Sequence, residues 1–121
     1  MKNLEQIRAR NALAWREKIG TGKNDGRAIA KKVPTMIREN GLLAALAFAC
    51  EQGDGSGHYN VFEAIIAHLS CQEVAKLKQG CTPDQLAEFL AASETVSATR
   101  LRDITSETMA FLNYLRRFAG K

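Results

Sequence analysis

The chain has 121 residues, 45% apolar and 25% charged, with a formal net charge of +4, which is ordinary for a soluble globular protein and points to one domain. Its longest apolar run, residues 41–50, is too short to span a bilayer, and the polar, charged N-terminus lacks the pattern of a secretory signal. Three cysteines (Cys50, Cys71 and Cys81) cannot all pair internally, and an odd count without a signal fits a reducing cytoplasm, the expected location.

Ala, Leu, Glu, Lys, Arg and Gln are frequent and only two prolines occur, so composition favours helix over sheet. The first helix is predicted from Asn3 to Ile19, with Leu4, Ile7, Leu13 or Ala14, Trp15 and Ile19 on its apolar face. Gly20 to Gly26 breaks it with turn residues. A second helix is expected from Arg27 to Glu39 or Asn40, with Ile29, Val33, Met36 and Ile37 facing inward. Pro34, which has no N–H to donate, should kink this helix or start a second short one. Asn40-Gly41 ends it, with glycine as a left-handed cap.

The third helix, Leu42 to Cys50 or Gln52, carries no charge from Leu42 to Ala49 and is apolar all round, the pattern of a helix at the centre of a bundle. Three glycines in residues 52–57 make a loop. Val61, Phe62, Ile65, Ile66 and Leu69 define a fourth helix from Tyr59 to Leu69, and a short helix is plausible over Gln72–Gln79. Thr82-Pro83-Asp84-Gln85 is a helix start, with Thr as cap, Pro in the first turn and Gln three residues after the cap; this fifth helix runs to Ala92. The longest helix, Thr95 to Ala119, is stepped by Leu101, Ile104, Thr108, Phe111, Leu115 and Phe118. The expected fold is all-α: a compact single-domain bundle of about six helices with a long C-terminal helix, spanning residues 1–121.

Charge is unevenly spread. Residues 1–41 hold ten Lys/Arg and four Asp/Glu, residues 42–99 two and seven, and residues 100–121 five and two. If the basic terminal segments meet in space, they form one positive face suited to phosphate. Its candidates are Arg8, Arg10, Arg16 and Lys18 in the first helix, Lys23, Arg27, Lys31, Lys32 and Arg38 beyond it, and Arg116 and Arg117 at the end of the last helix. Surface charge and the helix dipole also account for such residues, and for Arg116 and Arg117 alone the two readings weigh equally.

Catalytic and metal chemistry find little support. His58 and His68 belong to no metal-ligand spacing, and Cys71 and Cys81 near His68 match no standard zinc site. His58 borders a glycine loop, and His68 lies at a helix end where a cation meets the dipole. Gly20-Thr21-Gly22-Lys23 lacks the strand and full spacing of a phosphate-binding loop. No catalytic activity, metal or cofactor is expected.

Three stretches, in order, carry a family resemblance: Ala9-Arg10-Asn11-Ala12-Leu13-Ala14-Trp15; residues 34–48, from Pro34 through Ile37-Arg38, Asn40-Gly41-Leu42 and Ala45-Leu46-Ala47-Phe48; and residues 105–119, ending in Arg116-Arg117-Phe118-Ala119. Together they resemble the small helical subunit of the type III-B CRISPR (Cmr, or RAMP module) RNA-guided effector complex. Tyr114 stands where that family has tryptophan and Arg116 where it has lysine. The resemblance implies a non-catalytic subunit in antiviral defence, present in several copies stacked along a filament. Its partners would be the large polymerase-like subunit, the backbone subunits, further copies of itself, guide RNA and target RNA, with no membrane. It carries RNA contact onto Arg10, Arg38, Arg116 and Arg117, which lie in matched stretches, while Arg16, Lys18, Lys23, Arg27, Lys31 and Lys32 rest on charge density. Trp15, Phe48, Phe111 and Phe118 are expected in the core. The alternatives are the type III-A small subunit and a stand-alone helical nucleic-acid-binding or adaptor protein. A helix-turn-helix at residues 27–52 is disfavoured, because Leu42–Cys50 has no basic or amide side chain to read a base edge.

Overall fold

In a computed structural model of the protein, residues 3–20, 26–92, 94 and 96–119 are described. Six helices account for most of them: α1 (Leu4–Gly20), α2 (Gly26–Asn40), α3 (Leu42–Gln52), α4 (Gly57–Ser70), α5 (Pro83–Ala91) and α6 (Ala98–Ala119). No strand occurs among the described residues, so the chain is an all-α bundle closed by its longest helix. None of its described helices is long and apolar enough to cross a membrane.

The centre of the bundle is α4, not α3. Every other helix packs against α4, and Val61, Phe62, Ala64, Ile65, Ile66 and Leu69 are almost fully buried. Only Leu42, Ala45, Leu46 and Ala49 of α3 are buried, and Phe48, expected in the core, is 37% exposed. Both helices are apolar, but α4 buries Val61, Phe62, Ile65, Ile66 and Leu69, whereas α3 buries only Leu42 and Leu46 with two small residues, Ala45 and Ala49. A larger side chain removes more apolar area from water, at about 25 cal/mol per Å², so the bulkier helix gains more from the central position. Phe111 is fully buried, while Trp15 and Phe118 pack on the core from its margin.

The terminal helices meet: α1 packs along α6 in antiparallel sense, as the pairs Glu5–Tyr114 and Arg8–Glu107 show. The buried face of α1 differs from the one its apolar periodicity predicts. Ile7, Ala12 and Ile19 are buried, but Leu4 and Leu13 are exposed.

Short signals set the helix ends. Thr82 Oγ1 accepts the Gln85 N–H at 3.1 Å and Gln85 Oε1 accepts the Thr82 N–H at 2.9 Å, a complete capping box at the start of α5. Ser56 caps α4 by accepting the Tyr59 N–H, and Ser97 accepts the Arg100 N–H at the start of α6. A single residue, Gly41, joins α2 to α3 with φ 93° and ψ 161°; φ is positive as expected, but ψ lies in the extended mirror region open to glycine rather than in the left-handed helical well. The helix α2 runs through Pro34 as one element rather than two, and Pro34 is buried. That burial offsets its missing hydrogen bond.

Residues 72–79 are not helical. After α4 the chain folds back on itself. The N–H groups of Lys76 and Leu77 both donate to the Leu69 carbonyl, at 2.9 and 3.0 Å. This satisfies the open C-terminus of α4 and brings Leu77 into the core at 5% exposure. The reversal puts Ala75 at φ 50°, a conformation costing about 1 kcal/mol for a residue with a Cβ.

Candidate nucleic-acid interface

The basic residues fall into three groups: those closed into the interior, those paired at the surface, and those without a carboxylate.

Arg8 is the closed case. Its Nε and an Nη donate to the two oxygens of Glu107, both at 2.8 Å. His68 donates from Nε2 to Glu107 Oε2 at 2.8 Å, and its Nδ1 accepts from the Asn11 amide nitrogen at 2.9 Å. The Asn11 oxygen in turn accepts from Arg10 at 3.3 Å, which fixes the amide's orientation. A donor aimed at Nδ1 makes His68 a neutral ring with its proton on Nε2. Its face stacks on Phe111 with centroids 4.3 Å apart. Burial pushes the His68 pKa down, outweighing the Glu107 hydrogen bond and charge that push it up. Burial pushes Glu107 up, but the hydrogen bonds from Arg8 and His68 prevail and its pKa ends below the ordinary carboxylate value. Arg8 is therefore no phosphate ligand, and His68 is not a cation at a helix end. Both ring nitrogens of His68 are engaged, and Cys71 Sγ accepts from Asn11 at 3.5 Å.

Sequence reasoning misses this network. Its signal is present: Arg8 and Asn11 follow the spacing of Ile7, Ala12 and Trp15, and Glu107 that of Ile104 and Phe111. Polar residues in an inward stripe require partners.

Arg10 and Lys18 are the paired cases. Arg10 forks onto both oxygens of Glu73 at 2.7 and 2.8 Å, tying α1 to the turn after α4. Lys18 reaches Glu63 of α4 at 3.3 Å and lies 5.0 Å from the centre of the Trp15 ring. The single-pronged Lys18–Glu63 pair is of the exposed kind that contributes little, and the two-pronged Arg10–Glu73 fork is the stronger; both are exposed enough for a phosphate to compete with the carboxylate.

Arg16, Lys31, Lys32, Arg38 and Arg117 are exposed and make no ion pair among the described residues. Lys31, Thr35 and Arg38 stand at i, i+4 and i+7 on the open side of α2, one solvent-facing stripe. Arg38 touches Thr35 Oγ1 at 3.4 Å. Lys32 flanks that stripe near His58, whose pKa is lowered by burial and then by the Lys32 charge. The backbone of Arg27 lies one turn before Lys31; its side chain, and all of Lys23, lie outside the described residues. Arg116 is half-buried, with a buried Nε that meets no acceptor among the described residues.

Among the described residues, Arg16 and Lys18 do not converge with Arg116 and Arg117 on one face between the termini. Arg116 and Arg117 end α6 beside the first turn of α1, where Tyr114 bonds Glu5 at 3.0 Å. Arg16 and Lys18 lie about three turns further along α1, roughly 15 Å away, and the cations between them, Arg8 and Arg10, face carboxylates. Among the described residues, the stripe on α2 is the main cluster of unpaired positive charge.

A family model described as CRISPR-associated protein (Cas_Cmr5) matches residues 4–121. No curated protein and no solved structure matches the chain.

Proposed function

Because the chain belongs to the Cas_Cmr5 family of CRISPR-associated proteins, the small subunits of type III-B effector complexes, we propose that it is a non-catalytic scaffold whose copies stack along the filament and hold guide and target RNA through basic faces, in antiviral defence in the cytoplasm. The observation that carries the RNA-holding role is the α2 stripe: Lys31 and Arg38 two turns apart, Lys32 beside them, and no carboxylate pairing with any of the three among the described residues. An RNA duplex held in a protein groove is gripped through phosphate and sugar, without base reading. That chemistry needs exposed cations on a rigid helix and nothing more.

Arg16, Arg116 and Arg117 offer secondary anchoring points. Arg10 and Lys18 can join them by exchanging a carboxylate for a phosphate. A scaffold role is supported by His68, which is enclosed by Arg8, Asn11, Glu107 and Phe111 and cannot reach a substrate.

The test is a tagged pull-down of the chain from its native host, resolving proteins and RNA together. The expected result is recovery of several larger subunits and guide RNAs of a narrow length range. Recovery of the chain alone under gentle, low-salt conditions refutes the subunit role. Recovery of subunits without RNA refutes the RNA-holding part and leaves a protein-only adaptor.

A further inference from the structure

A cavity of about 670 Å³ opens between the turn after α4, the outer side of α5 and the first turn of α6, a volume in the usual range for a specific ligand pocket. It lies apart from the basic stripe on α2, and none of its lining residues is among the proposed RNA contacts. Its floor is apolar: Leu77 and Leu86 are almost fully buried and Phe89 is half-buried. Two cations, Lys78 and Arg100, stand on its walls, and no lining residue is acidic.

Arg100 is held in an unusual way. Its guanidinium carbon lies 5.1 Å from the centre of the Phe89 ring. Stacking on an aromatic face orients the planar guanidinium without consuming its N–H donors. Neither Arg100 nor Lys78 forms an ion pair among the described residues. The cavity thus combines an apolar floor with two unpaired cations on its walls, one of them oriented by Phe89.

RNA and protein are both chemically conceivable occupants, and charge decides between them. Residues 42–99 carry seven acids against two bases, and Asp84, Glu88 and Glu94 are exposed on or near the helix that forms one wall. A nucleic-acid strand brings a phosphate at every step and meets those carboxylates. A peptide bringing one carboxylate meets only the two local cations, and a large apolar side chain beside it fills the floor.

The geometry points to this cavity as the seat for a segment of a neighbouring protein subunit, one that presents a large apolar side chain next to a carboxylate. This rests on the subunit role proposed above. The test uses the tagged complex as isolated, treated with a carbodiimide that joins amines to touching carboxylates, and mapped by mass spectrometry. Lys78 is expected to link to an Asp or Glu of another subunit flanked by Leu, Ile, Met or Phe. Arg100→Gln, which keeps Lys78 and the apolar floor, is expected to lower that yield about tenfold, the loss of one charge-assisted hydrogen bond, with helicity unchanged by circular dichroism. If other lysines of the chain link to neighbours and Lys78 does not, the proposal is overturned. Ultraviolet cross-linking of RNA to the peptide containing Phe89 overturns it in favour of a nucleic-acid site. If the tagged chain brings down no other subunit, the subunit role itself fails and this proposal fails with it.

Discussion

At the scale of single residues, the decisive feature is a buried set of polar groups whose protonation is dictated by geometry. His68 sits between a donor, Asn11, and an acceptor, Glu107. It is held neutral, with its pKa lowered chiefly by burial. The consequence for stability has a definite sign. A depressed folded-state pKa means that, as pH falls, the unfolded chain takes up the proton first, so stability present above the ordinary histidine pKa of 6.5 is lost below it. The slope for one proton is at most about 1.4 kcal/mol per pH unit. Glu107, also depressed, adds a loss of the same sign below its ordinary 4.5. His58 is lowered too, by burial and then by Lys32, and acts in the same direction. Urea unfolding at about pH 7.5 and about pH 5.5 separates the histidines. His68→Gln is expected to be less stable than the wild type at the higher pH and to lose less between the two values. Equal losses in both proteins would assign the titration to His58.

At the scale of elements, local signals are legible in the sequence and long-range ones are not. The α5 start is a closed local system, with Thr82, Pro83 and Gln85 within four residues, so it reads directly from sequence. Thr82→Ala removes the Oγ1 acceptor and uncouples Gln85, and is expected to destabilise the protein by about 1 kcal/mol, read as a lower urea midpoint at unchanged m-value. No change would mean that packing of Pro83, Leu86 and Leu90 alone sets where α5 begins. Residues 72–79 do not form the short helix their sequence allows, because what organises them is the Leu69 carbonyl in the preceding helix, a partner no window over 72–79 contains. The inward face of α1 escapes sequence reasoning for a related reason. Arg8 and Asn11 occupy it because Glu107 and His68 await them from α6 and α4, and a periodicity of apolar residues alone passes over both. The choice between α3 and α4 as central helix turns on side-chain volume, a quantity that hydrophobic pattern does not register.

At the scale of the whole molecule, the sequence locates the positive charge but not its availability. Arg10 with Glu73 and Lys18 with Glu63 are pairs 63 and 45 residues apart, invisible until the bundle closes. Lys31, Lys32 and Arg38 stay unpaired because α2 turns toward solvent a side on which the fold brings no acid to meet them. This division predicts a difference in salt dependence that bare affinity would hide. Each phosphate contact to an RNA strand or duplex contributes roughly 0.7 to 0.9 to the slope of log affinity against log salt, through counterion release. Replacing Lys31, Lys32 and Arg38 together with alanine in the reconstituted complex is therefore expected to flatten the slope by roughly two to three units. These side chains are exposed and touch no carboxylate among the described residues, so thermal stability should stay within about 0.5 kcal/mol of wild type. Arg10→Ala with Lys18→Ala should behave differently. A cation already neutralised by a carboxylate must release it before binding a phosphate, so each contributes less to the slope, and its loss loosens α1 from the turn after α4 and from α4 itself. Target-RNA binding measured across a salt series for both variants distinguishes the two sets. A larger change of slope in the Arg10 and Lys18 variant would move the RNA path from α2 to α1. Parallel slopes in all three proteins would show that RNA is held by other subunits, with the stripe on α2 facing protein.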